Sequence, residues 1–206
     1  MIQHSCCVYL GNELAAYGFG NDHPFGPMRH HVFEQEFYRQ SLQEKVDILP
    51  PQTIGQKVLE LFHTHAYVEQ VKQQSILGTG YPDQGDTPAF TGMYEAASFV
   101  AGTVCAAVDR IMRNEYQRAF IPIAGLHHAR RNIAAGFCVF NDCGIAIEYL
   151  RQQYKIQRIA YTRCSSFSIP LPSNSYLHPA EQYFNDAVGP KRPKSLPIIC
   201  FPDGIS

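Results

Sequence analysis

The sequence predicts an α/β fold built on a mainly parallel sheet, and three observations carry that expectation. Short apolar runs read as strands: Cys7-Val8-Tyr9-Leu10, then Ala119-Phe120-Ile121-Pro122-Ile123-Ala124, then Arg158-Ile159-Ala160-Tyr161. A long stretch from Gly92 to Arg113 places Met93, Ala96, Ala97, Val100, Val104, Ala107, Val108 and Ile111 at the i, i+3, i+4, i+7 spacing of one helix face. A second helical stretch, Ile145 to Leu150, separates the later runs. Helices set between apolar strands favour parallel pairing.

The elements follow in order. Cys7–Leu10 is expected as a short strand. It leads into a Gly-rich loop, Tyr17-Gly18-Phe19-Gly20-Asn21-Asp22, and then His23-Pro24-Phe25-Gly26-Pro27. Pro27 suits the first turn of a helix, where its missing N–H costs nothing. Val32, Phe33 and Phe37 then recur at helical spacing, and Pro50-Pro51 ends the region. Thr91 is the expected N-cap of the long helix. Its face is rich in Ala and Gly, so another element can approach closely. Ala119–Ala124 is expected to end at Gly125, and Asn141-Asp142 reads as a capping pair. In the last 45 residues the composition shifts: half of the chain's 14 prolines lie there, at 170, 172, 179, 190, 193, 197 and 202. Only Leu196 to Phe201 reads as a further strand in that tail.

Composition narrows the function classes. The chain has 206 residues, 45% hydrophobic and 17% charged, with a net charge of −1. That length buries a sizeable single core, and the balance excludes wholly disordered behaviour. Near-neutral charge argues against direct nucleic-acid binding. Polar residues interrupt every apolar stretch before the roughly 20 residues of a membrane helix, so no membrane association is expected. The first residues lack the basic and apolar regions of a signal peptide. Seven cysteines, with no CxxC, read as buried thiols in a reducing cytoplasm.

The segment with most chemistry is Gly125-Leu126-His127-His128-Ala129-Arg130-Arg131-Asn132-Ile133-Ala134-Ala135-Gly136-Phe137-Cys138-Val139-Phe140-Asn141-Asp142. It follows an expected strand, and pockets in α/β sheets open at the C-terminal ends of strands. Neighbours on a regular strand face opposite ways. For both imidazoles to line one pocket the backbone must leave strand geometry, which Gly125 permits. Paired histidines can divide general-base and general-acid work near neutral pH. Alternatively, one His is solvated and the other sits in the core.

This run resembles the central motif of the histone deacetylase family, which includes bacterial acetoin-utilisation proteins and acetylpolyamine amidohydrolases. Three further segments are similar in the same order. His23-Pro24-Phe25-Gly26-Pro27-Met28-Arg29 looks like the family's His-Pro…Arg element. Phe62-His63-Thr64-His65-Ala66-Tyr67-Val68 resembles its His-Ser/Thr-x-x-Tyr helix start. Asp86-Thr87-Pro88 is similar to its Asp-x-Pro loop. The likeness covers roughly residues 15 to 161, and four ordered matches make it specific.

The resemblance implies a three-layer arginase/deacetylase-like α/β domain and a Zn2+-dependent deacetylase that hydrolyses the amide of acetylated amines. The implied partners are an acetylated lysine peptide or an acetylated polyamine. It implies that His127 and His128 are catalytic, moving protons around the attacking water. It implies that Gly136 and Phe137 line the acyl tunnel, Asp86 contacts substrate at the rim, and Arg29 lies along the inner acetate channel.

After Tyr161 the chain departs from the pattern. The family continues with an Asp-x-Asp-x-His-His-Gly-Asp run that supplies two of three metal ligands. This chain reads Thr162-Arg163-Cys164-Ser165-Ser166-Phe167, with no Asp or His between Asp142 and His178. Ser168-Ile169-Pro170-Leu171-Pro172 resembles a later family segment, with Phe184 to Val188 and Leu196 to Phe201 as its helix and strand. The expectation is a single incomplete, truncated domain over 1–206. Residues 1–161 match the family and 162–206 form a divergent Pro-rich tail. A catalytic zinc takes about three protein ligands plus an open position, and here the ligands are unknown. Besides the catalytic pair, His178, Asp142 and Asp203 are the candidates. Three readings follow: an active deacetylase, a catalytically inactive fragment or binding pseudoenzyme, and a metal-free hydrolase using Cys138 with the His pair.

Overall fold

A computed structural model describes residues 4–20, 23, 25–161 and the backbone of 198–200. Alternation of inward-facing side chains along the first strand organises the whole. β1 (Cys6–Tyr9) sends Cys7 and Tyr9 into one core and Cys6 and Val8 into another, because successive strand residues face opposite ways. All four residues are buried, as expected for a strand covered on both sides.

β1 pairs in parallel with β2 (Asp47–Leu49) and with β3 (Arg118–Phe120). β3 pairs in parallel with β4 (Ile198–Cys200), giving the order β2-β1-β3-β4. On one face α2 (Met28–Arg39) packs through Phe33 and Phe37, and Phe33 stacks on Phe120 at 5.4 Å. On the other lie α1 (Asn12–Ala15), α4 (His65–Leu77), α5 (Met93–Met112) and α6 (Asp142–Gln153), which contribute to the larger core. The short α3 (Gln56–Leu59) joins that layer through Leu59. The expected three-layer α/β architecture with a parallel sheet is therefore present.

Several elements differ in detail from expectation. The long helix is capped by Gly92 (φ 84°) and not by the Thr91 side chain. The strand expected over Ala119–Ala124 stops at Phe120. Pro122 has no N–H for a ladder, and the Ala124 N–H turns back onto the Ile121 carbonyl at 3.3 Å. Arg158–Tyr161 forms no strand; the place beside β3 is taken by Ile198–Cys200, within the expected Leu196–Phe201 run. Val32 is exposed, pointing away from the face that Phe33 and Phe37 bury. Asp47–Leu49 is a strand that its acidic first residue concealed. The expected helix at Phe184 to Val188, and His178 and Asp203, lie outside the described residues.

The small-residue face of α5 is used by backbone. A Cβ built on Gly102 lies 2.3 Å from the Gln52 carbonyl oxygen and 2.5 Å from the Thr53 carbonyl carbon. The same strap is fixed by the Thr103 hydroxyl, which accepts from the Gln52 N–H at 3.0 Å. Gly102→Ala gains up to about 1 kcal/mol of helix propensity but forces backbone apart, costing about 1–3 kcal/mol or more. The expected outcome is a lower urea midpoint for Gly102→Ala; an unchanged or higher midpoint contradicts the close docking.

Candidate functional site

The His127–His128 segment is held by the residues that begin α6. The Asp142 carboxylate is fully buried, and its Oδ2 accepts from the Gly125 N–H (2.9 Å) and the Leu126 N–H (3.2 Å). Burial pushes this carboxyl above the usual range, opposed by the Cys143 thiol and those two N–H donors. Asn141 caps the helix through Oδ1, which accepts from the Gly144 N–H at 2.7 Å. Its Nδ2 donates to the carbonyls of His127 (2.9 Å) and Ala129 (2.8 Å). The capping pair read from the sequence is thus a clamp on the His segment.

That clamp sets the imidazole geometry. Gly125 has φ 103°, so the backbone leaves strand geometry where the sequence allows it. His127 Nδ1 lies 2.8 Å from the Gly125 carbonyl oxygen. A carbonyl only accepts, so Nδ1 carries the proton and Nε2 is left as an acceptor. Nε2 is buried and finds no hydrogen-bond partner among the described residues. The two rings stack with centroids 4.3 Å apart, half-buried His127 against exposed His128. Tyr161 lies beside His127 at 6.5 Å between centroids.

Gly136 and Phe137 form a tight turn beside this pair. Ala135 and Cys138 exchange backbone hydrogen bonds of 3.2 and 2.9 Å. Both central residues have positive φ, 53° and 64°, as a type I′ turn demands. A Cβ on Gly136 lies 3.0 Å from the His128 ring, so glycine permits the close approach. Phe137 bears the strain of a left-handed conformation, of order 1–3 kcal/mol. It is tied on both sides: its N–H donates to Thr87 Oγ1 (3.2 Å), and its carbonyl accepts from the Tyr17 hydroxyl (2.8 Å). The same hydroxyl accepts from the Val139 N–H (3.0 Å), and Tyr67 donates to the Val139 carbonyl (2.7 Å). Phe137 also packs on His23 at 4.5 Å and Phe19 at 6.0 Å.

The remaining residues lie one step further out. Asp86 is exposed, its N–H donating to Asp83 Oδ1 at 3.0 Å; its neighbour Thr87 makes the bond to the Phe137 turn. Arg29 stacks on Phe25 at 4.2 Å, and Phe25 packs on Tyr17 at 5.7 Å. One Arg29 guanidinium nitrogen is buried without a hydrogen-bond partner among the described residues. Burial lowers the Arg29 pKa.

Two residues that matter to this geometry were not singled out in the sequence. Tyr17 is an isolated aromatic in the Gly-rich loop and carries no local signal of its bridging role. His63 was visible only as part of the segment before α4. Its Nε2 accepts from the Asn141 N–H (2.9 Å), and its Nδ1 donates to the Arg131 carbonyl (3.3 Å).

Among the described residues, the donors around the pair do not form a zinc ligand set. Asp142 Oδ2 is committed to two backbone N–H groups. Cys138 is buried and its thiol is pushed up to about 12, chiefly by desolvation. Cys143 is buried and likewise raised by desolvation. A thiol this buried and raised by desolvation is a poor nucleophile, which counts against the metal-free cysteine-hydrolase reading that uses Cys138.

Two outcomes are expected. Tyr17→Phe strands the Phe137 carbonyl and the Val139 N–H, and chemical denaturation should show a loss of about 1–3 kcal/mol; an equal stability contradicts the bridge. Desolvation lowers the His63 pKa from 6.5 to about 4. A depressed histidine contributes stability that is full above pH 6.5 and is lost as pH falls toward 4. The full loss is on the order of 3 kcal/mol at 1.36 kcal/mol per unit. Unfolding free energies measured across pH 4–7 should fall in that window, and the slope should flatten in His63→Gln.

Comparison with known proteins agrees with the motifs. The sequence model of the histone deacetylase domain matches residues 23–162. The acetoin utilization protein AcuC of Bacillus subtilis (strain 168) is 33% identical over 155 residues, covering 70% of this chain and 39% of that protein. AcuC of Staphylococcus xylosus is 30% identical over 165 residues, covering 77% and 43%. Histone deacetylase HDAC1 of Drosophila melanogaster is 28% identical over 167 residues, covering 75% and 31%. The chain spans about two fifths of the length of the AcuC proteins it matches. With the family domain matched across most of its length, this chain belongs to the histone deacetylase family.

Proposed function

We propose that this chain carries the acyl-amide pocket of a deacetylase and acts on acetylated amines, an acetylated lysine peptide or an acetylated polyamine. The observation that supports this reading most is His127 Nε2: a buried acceptor without a partner among the described residues, its ring oriented from behind by the Gly125 carbonyl. A buried unpaired acceptor is costly, and a proton taken from water at that atom relieves it. In the hydrolysis, the water oxygen forms a bond to the acetyl carbon and the carbon–nitrogen bond breaks. His127 takes the water proton and His128 delivers one to the departing amine. Gly136 and Phe137 line the acyl group, Asp86 meets substrate at the rim, and Arg29 lies along the inner channel. We place the protein in the cytoplasm, where its buried thiols at Cys7, Cys105, Cys138 and Cys143 stay reduced. Among the described residues no helix is long and apolar enough to cross a membrane.

A second reading, recognition of the acetyl group without cleavage, is favoured by one observation: among the described residues, the donors around the His pair form no zinc ligand set. The two readings separate in one experiment. Fluorescence anisotropy measures binding of acetylated against unacetylated lysine peptide and of N-acetylspermidine; acetate release is followed on the same samples, with zinc added or chelated. Acetate release that drops at least 100-fold in His127→Asn supports hydrolysis. Acetyl-selective binding without acetate supports recognition alone. Neither binding nor release contradicts both.

A further inference from the structure

A second group of metal-type ligands lies away from the His127 pocket, on α2. His30, His31 and Glu34 each offer one ligand atom, and these atoms lie within 4.8 Å of one another. The helix explains the convergence: positions four apart and three apart share a face, so Glu34 reaches toward both imidazoles. His30 is 1% exposed, yet neither of its ring nitrogens has a hydrogen-bond partner among the described residues. Glu34, one turn away, makes no hydrogen bond to it. A neutral imidazole carries one donor and one acceptor, and leaving a buried polar atom unpaired costs about 1–3 kcal/mol. Such a residue is normally replaced by an apolar one or given a partner.

We propose that His30, His31 and Glu34 form a binding site for a divalent transition-metal ion of the zinc class, separate from the His127–His128 pocket. Two imidazoles and a carboxylate suit zinc and its borderline neighbours, whereas calcium and magnesium prefer all-oxygen sets. Ligand bonds of about 2.0–2.2 Å place tetrahedral donors about 3.3 Å apart. Rotation of the half-exposed His31 and Glu34 closes the remaining distance. Their exposure also gives the ion a path in and leaves an open coordination position for water. The Glu34 charge offsets part of the ion's charge. The neighbouring Arg29 guanidinium is turned onto the Phe25 ring at 4.2 Å. The ion would fasten the face of α2 that holds His30, next to the helix's packing on the sheet through Phe33 and Phe37.

The site does not depend on deacetylase activity, and its test is separate. The whole chain, treated with chelator and dialysed, is titrated with cobalt chloride while d–d absorption is recorded, and with zinc chloride by calorimetry. The expected result is one ion per chain at micromolar affinity, with a zinc-dependent rise in melting temperature. His31→Gln and Glu34→Gln, both at half-exposed positions, should each weaken binding at least tenfold and abolish the thermal shift, with unchanged circular dichroism. The double variant His127→Asn, His128→Asn should retain the same ion, which distinguishes this site from the other pocket. The proposal is overturned if the α2 variants bind like the unaltered chain, or if that chain binds zinc only at millimolar, adventitious levels.

Discussion

A buried carboxylate must find donors, and Asp142 finds them in the backbone N–H groups of Gly125 and Leu126. Each such hydrogen bond contributes about 0.5–1.5 kcal/mol, and both are lost together if the loop moves. Both N–H groups can turn to one carboxylate only because Gly125 adopts a φ of 103°. That turn brings the Gly125 carbonyl to His127 Nδ1 and leaves Nε2 as the buried acceptor. Asn141 completes the restraint by holding the carbonyls on either side of His128. The start of α6 is therefore what gives the imidazole pair a fixed presentation.

A second restraint is built above the first. The Gly136–Phe137 turn is strained, and nothing in its own sequence compensates. Its compensation comes from Tyr17 just after α1, Thr87 in the loop before α5 and Tyr67 on α4. Elements far apart in the chain thus converge on one turn, which lies against His128. His63 links the two restraints, since it bonds the Asn141 N–H and the Arg131 carbonyl within the intervening loop. Strain held in place by surrounding packing is characteristic of sites that must present a fixed surface.

Much of this was legible in the sequence, for identifiable reasons. The 20 residues of α5 declared themselves because their apolar face repeats over several turns. β1 was clear because it is apolar on both sides. Asn141-Asp142 was visible as a cap, although its larger role on the His segment was not. What escaped depends on partners remote in the chain. β2 is three residues long, begins with Asp47 and is defined by its register with Cys7–Tyr9. Arg158–Tyr161 has strand composition but no neighbour to pair with, because β4 lies against β3. Tyr17 and His63 act through bonds spanning 120 and 78 positions, which no local pattern encodes. Arg29 and Asp86 connect to the pair only through Phe25 and Thr87, so their family roles remain proposals while the His pair's proximity is geometry.

The Asp142 clamp holds His127 in one tautomer, with the proton on Nδ1 and Nε2 as the buried acceptor. Long-range 1H–15N correlation spectra of the histidine rings at neutral pH read this directly. The geometry predicts that His127 shows the Nδ1–H tautomer and that Asp142→Asn, which weakens the hold on Gly125, allows exchange between tautomers. An Nε2–H tautomer in the unaltered chain, or a spectrum already averaging the two, would contradict it.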